Sequence, residues 1–347
     1  MRAAWVAAAL LAAAVCAAQA QVPQVVERVE VSRVVLDVHV LADDGQPVMG
    51  LEEGDLRVSV DGRTVRIESL RWTTASVAIR DAIATPPGAP SAPAPGDRPG
   101  RLILLFFQKD LDASRVEGLM AMLRQAEALV AGLAPDDRVA VALFHHHLEM
   151  LSDFTTDRAN VSRVLTRGVL FEGRADEAAS GQPPVLLPAF DHEAGRRASS
   201  MEQALLVLGR ALDRLPGAKS MVLFGHGFGR VIGGRSLAWP LVSFDSEYTE
   251  ARRLLARART TVYCLDLTRA DSHTLEAGLM RVAEDTGGFY MRTHEFPGQA
   301  LSRLGEAMGG HYELSFEKPD LPRGEHVFRI ELIGRKGTIF ARRTYVG

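Results

Sequence analysis

Apolar and polar residues alternate over residues 34–40, where Val34, Leu36, Val38 and Val40 interleave with Val35, Asp37 and His39. That is the period of a strand with one buried face. Leu56, Val58 and Val60 repeat the pattern, and Asp61-Gly62 supplies a two-residue hairpin turn into Val65 and Ile67. With a first strand expected near 25–31, the N-terminal part reads as about four antiparallel strands.

The pattern changes at residue 102. Residues 102–107 (LILLFF) are apolar without interruption, the signature of a central strand covered on both faces. A carboxylate-bearing loop follows, and then a helix over 114–132. Ser114 and Glu117 have capping-box spacing there, and Val116, Leu119, Met120, Leu123, Ala126 and Val130 form one apolar stripe. Further strands are predicted at 139–144, 220–224, 261–267 and 288–292. Helices are predicted at 158–167, 200–215, 246–259, 274–286 and 298–308. Such alternation implies an α/β fold with a doubly wound, mainly parallel sheet, whose ligands gather at the carboxyl ends of the strands. Residues 171–197 are irregular and rich in Gly, Pro and Ala, so a long surface loop is expected there.

From His311 the strand period returns at 312–316, 326–332 and 338–346. Four N-terminal and three C-terminal strands are each few for an independent fold. Two arrangements follow. The last strands complete an all-β sandwich begun by the first, with the sheet domain inserted between them, or they flank that domain. The boundaries are 24–78 for the N-terminal β segment, 79–100 for a linker containing TPPGAPSAPAPGDRPG, 101–309 for the α/β domain and 310–347 for the closing strands.

Composition narrows the partners. A formal net charge of −3 over 347 residues, with no block of like charge, does not favour nucleic acid or an anionic membrane. Residues 1–20 have the charged start, apolar middle and Ala-Gln-Ala end of a secretory signal peptide, and no later segment is long and apolar enough to span a bilayer. The expected location is therefore outside the cytoplasm, periplasmic or secreted. Cleavage would remove Cys16 and leave Cys264 alone in an apolar strand pattern, a core residue rather than a nucleophile.

The stretch VVLDVHVLADDGQPVMGLEEGDLRVSVDGRTVRI resembles the N-terminal segment of exported bacterial proteins with a von Willebrand factor A-related domain, of the kind abundant in acidobacteria. RLILLFF, LAPDDRVAVALF, FTTDRANV and the closing FARRTYVG are similar to that group's later landmarks, so the resemblance covers almost the whole chain after residue 20. It implies an A-type α/β domain beside a β-sandwich, and a site at which a divalent cation such as Mg²⁺ is held by oxygen ligands and shared with a partner's carboxylate.

In that family the ligands come from an Asp-x-Ser-x-Ser loop after the first strand, a Thr before a later helix and an Asp after the fourth strand. This sequence departs from the pattern. Gln108, Asp110 and Asp112 occupy the loop positions, or Asp110, Asp112 and Ser114 if the register shifts by two; Ser199 or Ser200 replaces the Thr; and Gly225-His226 stands where Ser-Asp would follow MVLF. The site is thus degenerate. Asp110, Asp112, Ser114 and Ser200 remain the metal candidates, while Gln108, Asp110, Asp112, Ser199, Ser200 and His226 form the expected partner-binding rim.

Two other motifs fail as catalysts. Gly225-His226-Gly227-Phe228-Gly229 follows a strand like a nucleophile elbow, but Gly227 stands where the serine must be. As a phosphate loop it lacks the Lys-Ser/Thr ending, so it reads as a tight strand exit. His145-His146-His147 has no zinc-like spacing to further ligands. The expectation is a non-enzymatic module that binds a protein through its rim. The alternatives are a metal-dependent hydrolase using Asp110, Asp112 and nearby histidines, and a purely structural envelope module.

Overall fold

The computed structural model describes residues 33–73, 100–110, 113–171, 183–232, 241–270, 272–294 and 297–346. The expected signal segment, the strand near 25–31 and most of the linker lie outside these residues.

Six strands form the central sheet: β5 (Leu102–Gln108), β6 (Arg138–Phe144), β7 (Leu148–Thr155), β8 (Lys219–Gly225), β11 (Thr260–Asp266) and β12 (Tyr290–Arg292). Their spatial order is β12-β11-β8-β5-β6-β7, with every pair parallel except β6 with β7. Counted within the sheet this is the doubly wound order 3-2-1-4-5-6, with its switch point between β5 and β8. Every residue of β5 is buried, as its unbroken apolar run requires. Strand β7 was not legible as a strand: Leu148, Met150, Leu151 and Phe154 do not alternate strictly, because the register to β6 shifts twice.

Helices cover both faces of that sheet. Leu104, Phe106 and Leu223 point into one apolar layer with α4 (Met201–Leu212), α5 (Ser246–Arg257) and α6 (Glu276–Thr286). Leu105, Phe107 and Phe224 point into the other with α1 (Ala113–Ala131), α2 (Arg158–Arg163) and α7 (Pro297–Ala307). After α2 the chain continues through a π turn (Val164–Gly168). Cys264 is a fully buried free thiol in the first layer, and burial pushes its pKa well up. The expected irregular loop contains α3 (His192–Arg197), where Asp191 accepts from the N–H groups of Glu193 and Ala194. Asp153 on β7 fixes the approach to it by accepting from the backbone of Val185, Leu186 and Leu187.

The remaining long strands make two four-stranded antiparallel sheets. One runs β15-β1-β13-β4 and joins β15 (Thr338–Phe340), β1 (Arg33–Leu41), β13 (His311–Glu317) and β4 (Ile67–Thr73). The other runs β16-β14-β2-β3 and joins β16 (Thr344–Val346), β14 (Glu325–Leu332), β2 (Leu56–Val60) and β3 (Arg63–Val65). Leu36, Val38, Val58, Val60, Leu314, Phe316, Phe328 and Tyr345 share one apolar core, so the two sheets form a sandwich. The stretch 338–346 was expected as one strand. It divides between the two sheets, crossing from one to the other at 341–343. A small ribbon, β9 (Arg230–Ile232) with β10 (Leu241–Ser243), lies after β8.

Where β1 meets the α/β layers, His39 is buried with Nδ1 3.2 Å from the Ala307 carbonyl oxygen and Nε2 3.4 Å from the Tyr263 hydroxyl. Desolvation, helped by the charge of His311, lowers its pKa to about 4. The unfolded chain, with an ordinary histidine near 6.5, then binds one more proton than the native state between those values. Stability is full above pH ~6.5 and falls as pH drops toward 4, at most by about 1.4 kcal/mol per pH unit for this group. Urea titrations at pH 7.5 and 5.5 are expected to show the loss, and His39→Gln to reduce it. An unchanged pH slope in that variant would assign the effect elsewhere.

Candidate functional site

The carboxyl ends of β5 and β8 flank the switch point, and the side chain of Gln108 closes it. Gln108 ends β5 and is buried; its Nε2 donates to the Gly227 carbonyl oxygen at 2.9 Å, and its Oε1 accepts from the His226 N–H at 3.0 Å. One amide thus satisfies a donor and an acceptor of the neighbouring strand exit, which is why a neutral, two-sided group suits this position. Gly227 has φ +100°, and a Cβ there would lie 2.3 Å from the Leu275 carbonyl oxygen, so the glycine-rich sequence serves a close backbone crossing.

Asp110 lies just beyond, ion-paired with Arg115 on α1 and 3.6 Å from His226 Nε2. His226 is 7% exposed, and burial, followed by the positive charge of Arg115, lowers its pKa to about 4. Ser200 caps α4, its Oγ accepting from the Gln203 N–H at 3.2 Å, while the Ser199 N–H donates to Gln203 Oε1 at 2.9 Å. Asp112 and the side chain of Ser114 lie outside the described residues. The described members of the expected Mg²⁺ set are therefore one carboxylate paired with arginine and one capping hydroxyl. These two alone do not supply the several hard oxygens that an octahedral Mg²⁺ demands.

His145, His146 and His147 occupy the bend between β6 and β7, where His147 Nε2 is 3.0 Å from Glu149 Oε1. They belong to a turn rather than to the end of β6.

A second polar group, at the end of β11, escaped sequence reasoning. Asp266, 1% exposed, accepts from the Thr268 N–H at 2.8 Å through Oδ1, while its Oδ2 is 2.8 Å from His273 Nε2 and 2.7 Å from the Tyr290 hydroxyl. The Tyr290 hydroxyl is also 2.9 Å from Glu276 Oε2, which accepts from Arg292 Nη2 at 2.8 Å and Nε at 3.1 Å. Burial and both carboxylates raise the Tyr290 pKa, so its hydroxyl keeps its proton. The ligand atoms of Asp266, His273 and Glu276 all lie within 4.8 Å of one another. Their sequence spacing, ten residues across a loop and a helix start, matches no short metal motif. Only Asp at a parallel-strand end, the position where such sheets bind ligands, offered a sign.

No protein-family model matches the chain, and no curated protein sequence matches it. Solved structures give loose likenesses. The conserved hypothetical protein BatB from Bacteroides thetaiotaomicron is 13% identical over 60% of this chain and 97% of that one, with a TM-score of 0.40. A von Willebrand factor type A protein from Catenulispora acidiphila is 10% identical over 72% and 66%, with a TM-score of 0.42. The manganese-loaded TRAP protein of Plasmodium vivax is 11% identical over 71% and 94%, with a TM-score of 0.40. The strand order itself, not these likenesses, establishes the doubly wound fold.

Proposed function

We propose that the chain is an exported, non-enzymatic module that binds a protein partner through the rim formed by Gln108, Asp110, Asp112, Ser199, Ser200 and His226. One observation carries the reading. Doubly wound sheets take their ligands at the switch point, and here the Gln108 amide is hydrogen-bonded across it. Asp110, Ser199 and Ser200 keep exposed or half-buried polar groups at that end, suited to contact rather than to enclosing a small substrate. Export rests on residues 1–20, and no described helix is long and apolar enough to cross a membrane.

In the same proposal, residues 24–78 and 310–347 close the sandwich around an inserted α/β domain, with the linker at 79–100. The pairing of β1 with β13 and of β2 with β14 supports this arrangement over closing strands that merely flank the parallel sheet. The sandwich is then a pedestal, and the rim is the presented face.

A photo-crosslinking residue placed at Ser199, with a control at Arg57 on the sandwich, tests the binding face in cells of the native host. Crosslinks to one protein from position 199 and none from position 57 are the expected result. Crosslinks confined to position 57 would overturn the rim as the binding face.

A further inference from the structure

We infer that Asp266, His273 and Glu276 form a binding site for a transition-type divalent cation, Zn²⁺ in the first instance, distinct from the Asp110 loop. The site is built from three elements: the end of β11, the loop after it and the first turn of α6. A zinc ion sits about 2.0–2.2 Å from carboxylate oxygen and imidazole nitrogen, so its ligand atoms lie roughly 3–3.5 Å apart. Asp266 Oδ2 and His273 Nε2 are already 2.8 Å apart, and the Glu276 carboxylate completes a set no wider than 4.8 Å. Closure to a coordination sphere needs side-chain adjustments of an ångström or so, not a movement of strands.

An unpartnered atom two residues from Asp266 points the same way. Thr268 Oγ1 is buried with no hydrogen-bond partner, an arrangement that is unfavourable when nothing compensates it. Thr268 is the residue whose N–H holds Asp266 Oδ1. Three protein ligands leave a fourth coordination position, which water can fill.

The donor types select the metal. One imidazole with two carboxylates suits Zn²⁺, whereas Mg²⁺ prefers oxygen ligands and retained water. Arg292 opposes binding, because its guanidinium occupies the Glu276 oxygen that the cation would take. Its side chain is 42% exposed and can withdraw into solvent, so it acts as a competing cation.

Calorimetric titration of the full chain with Zn²⁺ alone tests it, with a parallel Mg²⁺ titration. One zinc per chain is expected, bound more tightly than Mg²⁺. His273→Gln and Glu276→Gln are each expected to weaken it by more than about a hundredfold, since outer-shell partners alone are worth about 10–100-fold. Arg292→Gln should bind zinc more tightly than the unmodified chain, which a merely structural Arg292 would not produce. Circular dichroism of each variant verifies that the fold is kept, and His147→Gln should leave zinc binding unchanged. No zinc binding, or affinity indifferent to His273 and Glu276, or affinity lost only in His147→Gln, would overturn the site.

Discussion

Arg259→Leu is expected to destabilise the folded chain by about 3–5 kcal/mol, the usual cost of removing one partner from a buried ion pair. Arg259 Nε donates to Asp37 Oδ2 at 3.0 Å, and Nη2 bonds Asp37 Oδ1 and also Glu313 Oε2 at 2.7 Å. One guanidinium thus ties the α5-to-β11 connection to β1 and β13 of the sandwich. Asp37 has only 10% of its side chain exposed; His311 Nε2 approaches it at 3.2 Å, but without hydrogen-bond alignment.

Burial pushes the Asp37 pKa up, yet the close approach of His311, the hydrogen bonds of Arg259 and the charges of both outweigh it and hold the carboxyl well below its ordinary range. Without Arg259 that balance is lost, and a buried carboxylate must take up a proton or draw in water. Arg259→Lys keeps a charge but not the fork that reaches two carboxylates, so an intermediate loss is expected. The test is urea unfolding of both variants beside Asp37→Asn/Arg259→Leu. Recovery of part of the loss in the double variant is the expected coupling. A single-variant loss below about 1 kcal/mol would mean that the pair behaves as an exposed surface bridge.

The same residues mark how far the sequence could be read. Phe106 and its neighbours reveal a central strand because a strand buried on both faces needs apolar residues at every position, a property of the segment alone. Alternation over 34–40 likewise reveals β1. Asp37 and Arg259 are separated by 222 positions, and nothing local to either indicates that they meet. Asp37 instead reads as an outward polar residue of a half-buried strand, whereas the structure places it against the α/β layers.

The rim shows the same division. Gly227 is legible as a tight exit because only a glycine tolerates that backbone, whereas the role of Gln108 depends on which strand lies beside it. Asp266, His273 and Glu276 fall on a strand end, a loop and a helix start, so their convergence is a property of the packed sheet. Strand β7 was missed for a different reason: two register shifts against β6 erase the period on which strand reading depends.

Deleting everything after Gly309 is expected to do more than any point substitution. It removes β13, the strand that stands between β1 and β4, and β14, the partner of β2. With them go Tyr312, Leu314, Phe316, Phe328 and Tyr345, all buried in the sandwich core. At roughly 1.5–3 kcal/mol for each large apolar side chain, the lost burial is on the order of 10 kcal/mol, comparable to the entire stability of a typical domain. The remaining β1 and β2 would expose Leu36, Val38, Val58 and Val60 beside unpaired backbone groups, the template for edge-to-edge association. Aggregation on expression, or a loosely packed chain that binds a hydrophobic dye, is the expected behaviour. The Arg259 pair would be weakened as well, because Glu313 and His311 leave with the deleted strands. If the truncated chain were monomeric in sedimentation and unfolded in one cooperative step at undiminished urea concentration, the closing strands would be an accessory to the fold rather than half of its sandwich.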